Sequence, residues 1–388
     1  MEGITLQQVV RAGFSDLRRC GGVRSAVIGW CYSVLSCRTR ALGGHVWRCP
    51  DGHEEVVLWN SCKHRACAAC GALDRERWLD RVRQVLSLDC GYHHIVFTVP
   101  HELNILWRYN RSWFASQVLA ASRETLLQLM SQEKWLGALP GVVQSWQTWG
   151  RSLIDHLHVH VLMTAGGWTS TGWRGLKYDY VAPTSVLRGV YRGKLGARIL
   201  RGLSSGEMVL PPEWTSAEVH RVLGKLYRKE WCVHVQPRYA HGEGVLTYLS
   251  RYVRGGPLRS SQLQSLSSTH VEFQYSDHRD QRRKPLRLGL VEFLRRLGEH
   301  VPEPGFRGVR YCGLYAPGNR SLLSQSRTWL GMGPLPAAPK RLTVHEYLKR
   351  IGQEGKLCCE TCGKPYEQAE KIEPADRGPP LVGYERAA

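Results

Sequence analysis

Two short spacings and a cysteine cluster are the parts of this sequence with the residue types for chemistry. In Asp155-His156-Leu157-His158-Val159-His160-Val161-Leu162-Met163, histidine recurs at every second position from 156 to 160. As a strand with a period of two, the segment puts His156, His158 and His160 on one face and Leu157, Val159 and Val161 on the other. Two imidazoles so placed can chelate one divalent ion and leave coordination positions open, as Lewis-acid catalysis at a phosphate requires. Sixteen histidines in the chain produce about 0.7 H-x-H pairs by chance. An edge strand with solvated histidines therefore accounts for the spacing equally well.

Some ninety residues later, Gly244 to Val253 reads as a helix that stops at Gly255-Gly256-Pro257. Tyr248 and Tyr252, four apart, share one helical face, with Val245, Leu246, Leu249 and Val253 on the opposite one. A phenol with an ordinary pKa near 10 is a poor nucleophile, and a nearby metal or cation favours its phenolate. Arg251 and Arg254 are on the same helix and suit that task or the holding of phosphate. Packing explains an isolated Y-x-x-x-Y pair as readily.

Cys67-x-x-Cys70, with Cys62 five residues earlier, is a close-set thiol group, and Cys49 with His53 supplies a first half upstream. Cytosolic thiols stay reduced and the total of thirteen cysteines is odd, so metal binding is expected rather than a disulfide framework. Small Cys/His units of this size fold largely because Zn²⁺ supplies the missing core. His45 and His64 are the nearby residues that can substitute as ligands. Cys358, Cys359 and Cys362 resemble half a zinc knuckle with no second pair following. They are read as exposed thiols, with a site completed from elsewhere in the fold as the alternative.

The elements around these residues predict an α+β fold on an antiparallel sheet. Residues 1–44 read as a helical entry segment, and residues 45–90 as a zinc-binding, DNA-binding unit. That unit leads into a helix with Leu73, Trp78, Leu79, Val82, Val85 and Leu86 on one face. A larger domain over residues 91–315 begins with the strand His93 to Pro100. Val142 to Trp149, Leu157 to Met163, residues 231–236, Thr269 to Tyr275 and Pro285 to Leu290 are its further strands. Helices are expected over residues 101–135, over Thr215 to Lys229 with Ser216 as cap, and over Val291 to Leu297. Residues 165–212 form a basic insertion of poor pattern, and residues 316–388 a linker and basic tail carrying the last cysteine cluster.

A formal net charge of +20 makes nucleic acid the default partner. Tryptophan and tyrosine far outnumber phenylalanine, and Trp146, Trp149, Trp168 and Trp173 flank the histidine strand, where they suit stacking on unpaired bases or ordinary core packing. No stretch is long and apolar enough to span a membrane and no secretory leader is visible, so a cytoplasmic, nucleoid-associated protein without a membrane partner is expected.

The motifs agree with a known family in their order as well as singly. His-Leu-His-Val-His (156–160) resembles the histidine–hydrophobe–histidine motif of the HUH-type, two-tyrosine transposases of rolling-circle insertion sequences. The run from Tyr248 to Leu258 is similar to their tyrosine helix, and segments 273–280, 291–296 and 305–314 to their closing motifs. Residues 60–70 resemble the end of their cysteine-rich unit. The resemblance spans about residues 45–315 and implies an HUH-endonuclease domain with a ferredoxin-like sheet. It implies that His158 and His160 bind Mg²⁺ or Mn²⁺, with Gln236, His156 or Glu243 as third ligand and Gln236 preferred. It implies that Tyr248 and Tyr252 attack single-stranded DNA, forming 5′-phosphotyrosine links. It implies structural Zn²⁺ at Cys49, His53, Cys62, Cys67 and Cys70, with a departure in the first half, where the family has Cys-x-x-Cys and this chain has Gly52 in the second position followed by His53. Two rival readings are a replication initiator or relaxase with the same chemistry, and a non-catalytic zinc-containing DNA-binding regulator.

Overall fold

The computed structural model describes residues 3–86, 88–240, 256–277 and 282–375, with Thr247, Ser250 and Asp280 singly between them. Period-two alternation builds its central sheet. β3 (Tyr92–Thr98), β4 (Leu139–Trp149), β5 (Asp155–Thr169), β7 (Val233–Val235) and β11 (Val309–Gly313) pair antiparallel in the order β11-β4-β5-β3-β7. β6 (Gly172–Gly175) pairs with the end of β5. Ile95, Phe97, Leu157, Val159, Val161 and Met163 project from one face and are fully buried. Each such side chain contributes about 1.5–3 kcal/mol of burial free energy.

Three helices cover that apolar face: α5 (Arg111–Met130), α6 (Thr184–Ser204) and α7 (Ser216–Tyr227). α6 occupies the segment expected to be a poorly patterned insertion. Its Leu187, Tyr191, Leu195 and Ile199 recur every four residues and are fully buried, with the Tyr191 ring edge-on to Phe97 at 4.9 Å between centroids. The glycines and arginines between them dilute composition without breaking the stripe. α7 starts where expected, but its cap is Thr215, whose hydroxyl accepts from the Glu218 amide, and not Ser216.

The N-terminal helices α1 (Leu6–Arg19) and α2 (Ser25–Ser36) pack into the body of the fold. Val9, Val10, Leu17 and Trp30 share a core with Val271 and Phe273 of a second antiparallel sheet, β10-β9-β8, and with the helix Leu290–Glu299. In that sheet β8 is Leu263–Leu266, β9 His270–Ser276 and β10 Arg283–Gly289. A third sheet, β12-β1-β2, joins β1 (Gly44–Arg48) and β2 (Glu55–Trp59) to β12 (Glu367–Ile372). The segment after residue 315 is therefore not merely a loose tail. It holds the helices Arg320–Trp329 and Val344–Arg350, and its last strand completes the N-terminal hairpin. Among the described residues no helix is long and apolar enough to cross a membrane.

His300 sits buried at the junction of these cores. Its two ring nitrogens meet the Thr148 hydroxyl at 3.1 Å and the Leu153 carbonyl at 3.2 Å, which satisfies one neutral tautomer. Burial pushes its pKa down to about 4. The unfolded chain, with an ordinary histidine near 6.5, then binds the proton more tightly, so stability rises with pH between those values. The contribution is complete above about pH 6.5 and lost as pH falls through about 4, a difference of roughly 3 kcal/mol. Denaturant melts at pH 7 and pH 4.5 should show a smaller acid loss in His300→Gln than in the parent chain. Equal losses in both would remove His300 from this role.

Candidate active site and metal centres

The face of the central sheet opposite its apolar core gathers the histidines. β3–β5 pairing sets His160 opposite Val96 and His158 opposite Thr98, while β4 places Ser145 and Gln147 across from the same two histidines. β7 adds His234 opposite Val96. Because directly paired residues share a face, His94, His158, His160, His234, Gln147 and Gln236 all point the same way.

His158 and His160 are nonetheless almost wholly enclosed, at 6% and 4% exposure, so they are not the solvated histidines of an edge strand. Their Nε2 atoms converge to 3.1 Å. The opposite nitrogen of each ring is already held: His158 Nδ1 lies 2.7 Å from the His156 carbonyl, and His160 Nδ1 lies 2.9 Å from His94 Nε2. These contacts at Nδ1 fix the orientation of both rings and turn the two Nε2 atoms towards each other, the nitrogens an imidazole offers to a cation. Burial, reinforced by the neighbouring histidines, pushes His158 down to about 4 and His160 to about 2, so both are neutral at physiological pH. This donor set suits a divalent ion.

His94 was missed by sequence reasoning, which read the His93-His94 pair only as the start of a strand. The cross-strand register that brings it to His160 is not a local signal. Gln236 lies on the expected face, but its side chain bonds His234 at 2.9 Å. Gln147 is closer to the pair in register, is buried, and leaves its amide nitrogen without a partner. Tyr248, Tyr252, Arg251, Arg254 and Glu243 lie outside the described residues. The described flanks of that segment are anchored: Tyr239 exchanges two 2.9 Å backbone bonds with Tyr92 of β3, and Thr247 and Ser250 are helical. Beyond it Gly256 has φ +72, and a Cβ there would sit 3.4 Å from the Ala66 carbonyl, so the exit passes close against the cysteine loop.

That loop belongs to the first of two Cys/His clusters. Cys37, Cys62, Cys67 and Cys70 have all four sulfurs within 4.8 Å of one another, with Cys62–Cys70 at 3.6 Å and Cys67–Cys37 at 3.7 Å. Tetrahedral zinc with bonds near 2.3 Å needs about 3.8 Å between sulfurs, so the thiols fit that ion. Cys37 was not foreseen, since it stands far from Cys62 in sequence. Arg38 N donates to the Asn60 carbonyl at 2.9 Å and thereby ties the two segments together.

The expected grouping of Cys49 and His53 with these thiols is corrected. β1 and β2 run as a hairpin with Arg48 opposite Glu55, so its turn lies roughly 17 Å, five residues of strand, from its base. The turn carries Cys49 and His53 and the base carries the cysteine loop. Cys49 and His53 instead cluster with Cys359 and Cys362, which makes Cys359 a buried residue rather than an exposed thiol. His45 and His64 join neither group; His64 Nδ1 accepts from the Ala66 amide. α3 (Ala72–Leu86) leaves the first cluster and lays Trp78, Leu79 and Val82 on Tyr92, Val143 and Leu162, the same sheet face that bears the histidines.

A cysteine-rich metal unit docked through a helix beside the histidine face of an antiparallel α+β domain is the class of protein these features define. Residues 9–99 match the family described as transposase zinc-binding domain, and residues 141–322 the family described as putative transposase. The chain is 31% identical to the putative transposase y4qJ of Sinorhizobium fredii over 328 residues, 82% of this chain and 81% of that one. It is 28% identical to the transposase for insertion sequence element IS801 of Pseudomonas savastanoi pv. phaseolicola, over 76% of this chain and 72% of that one. A solved structure of TrwC complexed with a 27-mer DNA, comprising the recognition hairpin and the cleavage site, is 15% identical and covers 41% of this chain and 71% of that one, with a TM-score of 0.22. The chain belongs to the IS91-type family of two-tyrosine, rolling-circle transposases, with their N-terminal zinc-binding domain.

Proposed function

We propose that this protein nicks and rejoins single strands of DNA through 5′-phosphotyrosine intermediates. The observation that carries the reading is the convergence of His158 and His160 Nε2 at 3.1 Å on the enclosed face of the sheet. The phenolate oxygen of Tyr248 or Tyr252 attacks the phosphorus, an O–P bond to tyrosine forms, and the bond to the 3′ oxygen breaks. That oxygen takes up the proton given up by the tyrosine hydroxyl and leaves as a 3′-hydroxyl. The adduct keeps the energy of the broken phosphodiester, so a second 3′-hydroxyl can reverse the step on another strand without ATP. Mg²⁺ or Mn²⁺ bound at His158 and His160 would supply Lewis-acid polarisation of the scissile phosphate. The third ligand is assigned to an amide on the same face, Gln236 or Gln147. Arg251 and Arg254 are assigned to phosphate contacts.

In this reading His94 positions His160 by fixing its tautomer. Removing such a partner typically weakens metal binding about 10- to 100-fold. Titration calorimetry with Mn²⁺ should show that loss in His94→Ala, with partial recovery in His94→Gln, which keeps a hydrogen-bonding side chain. Unchanged Mn²⁺ affinity in both variants would show His94 to be mere packing.

The whole reading is tested by incubating the full chain with Mn²⁺ and labelled single-stranded oligonucleotides from its element's ends. Adducts that survive denaturation and vanish with EDTA are expected. Binding without adducts on any end sequence would favour the rival reading of a DNA-binding regulator. Cleavage restricted to a plasmid origin would favour an initiator or relaxase.

A further inference from the structure

We infer that Cys49, His53, Cys359 and Cys362 hold a second zinc ion, a clip that fastens the C-terminal segment to the N-terminal hairpin. Cys359 and Cys362 lie outside both matched family spans, residues 9–99 and 141–322, so the assignment rests on this chain's own geometry. The four ligand atoms lie within 4.8 Å of one another. Cys49 Sγ is 3.5 Å from Cys362 Sγ and 3.5 Å from His53 Nδ1, and Cys359 Sγ is 3.9 Å from His53 Nδ1. Tetrahedral zinc, with bonds near 2.3 Å to sulfur and 2.0–2.1 Å to nitrogen, separates its ligand atoms by about 3.6–3.8 Å.

The backbone of both halves is shaped for this. In Cys49-Pro50-Asp51-Gly52-His53 the Gly52 amide donates to the Cys49 carbonyl at 2.9 Å, with Gly52 at φ +76. In Cys359-Glu360-Thr361-Cys362-Gly363 the Gly363 amide donates to the Cys359 carbonyl at 2.8 Å, with Gly363 at φ +71. Two turns that reverse sharply after a cysteine thus face each other. They are held in register by the Glu360 amide on Glu54 and by Lys364 on Asp51, both at 2.7 Å. Next to them β12 pairs with β1 from Gly44–Ile372 to Arg48–Glu367.

The local apolar core is too small to hold this arrangement, since Cys49, Cys359 and Tyr366 are its buried members. A metal supplies what such a core lacks. Cys358, one residue earlier, points instead at the Glu354 carbonyl and is left out of the site.

Zinc per chain, measured by plasma mass spectrometry on the full chain purified under reducing conditions, should be two in the parent and one in Cys359→Ala, Cys362→Ala. A parent content of one zinc, unaltered in the variant, would overturn the proposal. So would a parent chain whose unreduced mass is 2 Da low and whose cysteine loss maps to Cys49 and Cys362, since that is a disulfide. His53→Cys guards against a variant that fails to fold, because it keeps four ligands. With Co²⁺ as the probe its thiolate-to-cobalt bands should move from the mixed thiolate–imidazole pattern towards the all-thiolate pattern of the first site, and the cobalt held at His158 and His160, which has no thiolate ligand, does not contribute to those bands. An unmoved cobalt spectrum excludes His53 from the site.

Discussion

Replacing both Tyr248 and Tyr252 by phenylalanine is expected to abolish covalent attachment to DNA while leaving DNA binding intact. The exchange removes one oxygen from each side chain and keeps the aromatic ring, so it takes away the nucleophile with the smallest change in shape. Removing a covalent nucleophile costs on the order of 10⁴-fold or more in rate. Each single variant should retain one cleavage and lose the paired strand transfer that needs two. Denaturing gels of the parent, both single variants and the double variant, with the same labelled strand, settle it. Adducts of parental intensity in the double variant would mean that another residue attacks.

His158→Ala is expected to stop cleavage and to spare binding. Polarisation of a phosphate by a bound cation is worth several kcal/mol, which converts to a loss of about 100- to 1000-fold. The side chain projects from β5, flanked by β3 and β4, and is almost wholly buried, so truncation also opens a small cavity, and a thermal melt must accompany the assay. A stable His158→Ala variant that cleaves at the parental rate in Mn²⁺ would remove this pair from the metal site. His160→Ala should behave alike, with the added loss of the contact to His94.

These two experiments probe residues that the sequence singled out for different reasons. The histidines were legible because a strand's period of two is local: with Leu157, Val159 and Val161 buried, His158 and His160 had to share the other face. The α6 stripe was equally local, at four-residue spacing, and went unread because glycine and arginine separated its members. Cys37 and His94 were not legible. Each owes its role to a partner brought in by pairing, the first through the Asn60 carbonyl and the second through the β3–β5 register.

By itself the sequence determined the antiparallel α+β class, the histidine face, the metal-binding character of the cysteines and, through the order of its motifs, the family. Only the tertiary structure decided which cysteines meet. Spacing fixes neighbours along one chain segment, whereas a tetrahedral cluster is closed by whatever segment the sheets deliver. The β1–β2 hairpin carries Cys49 and His53 away from the cysteine loop, and β12 brings Cys359 and Cys362 to them.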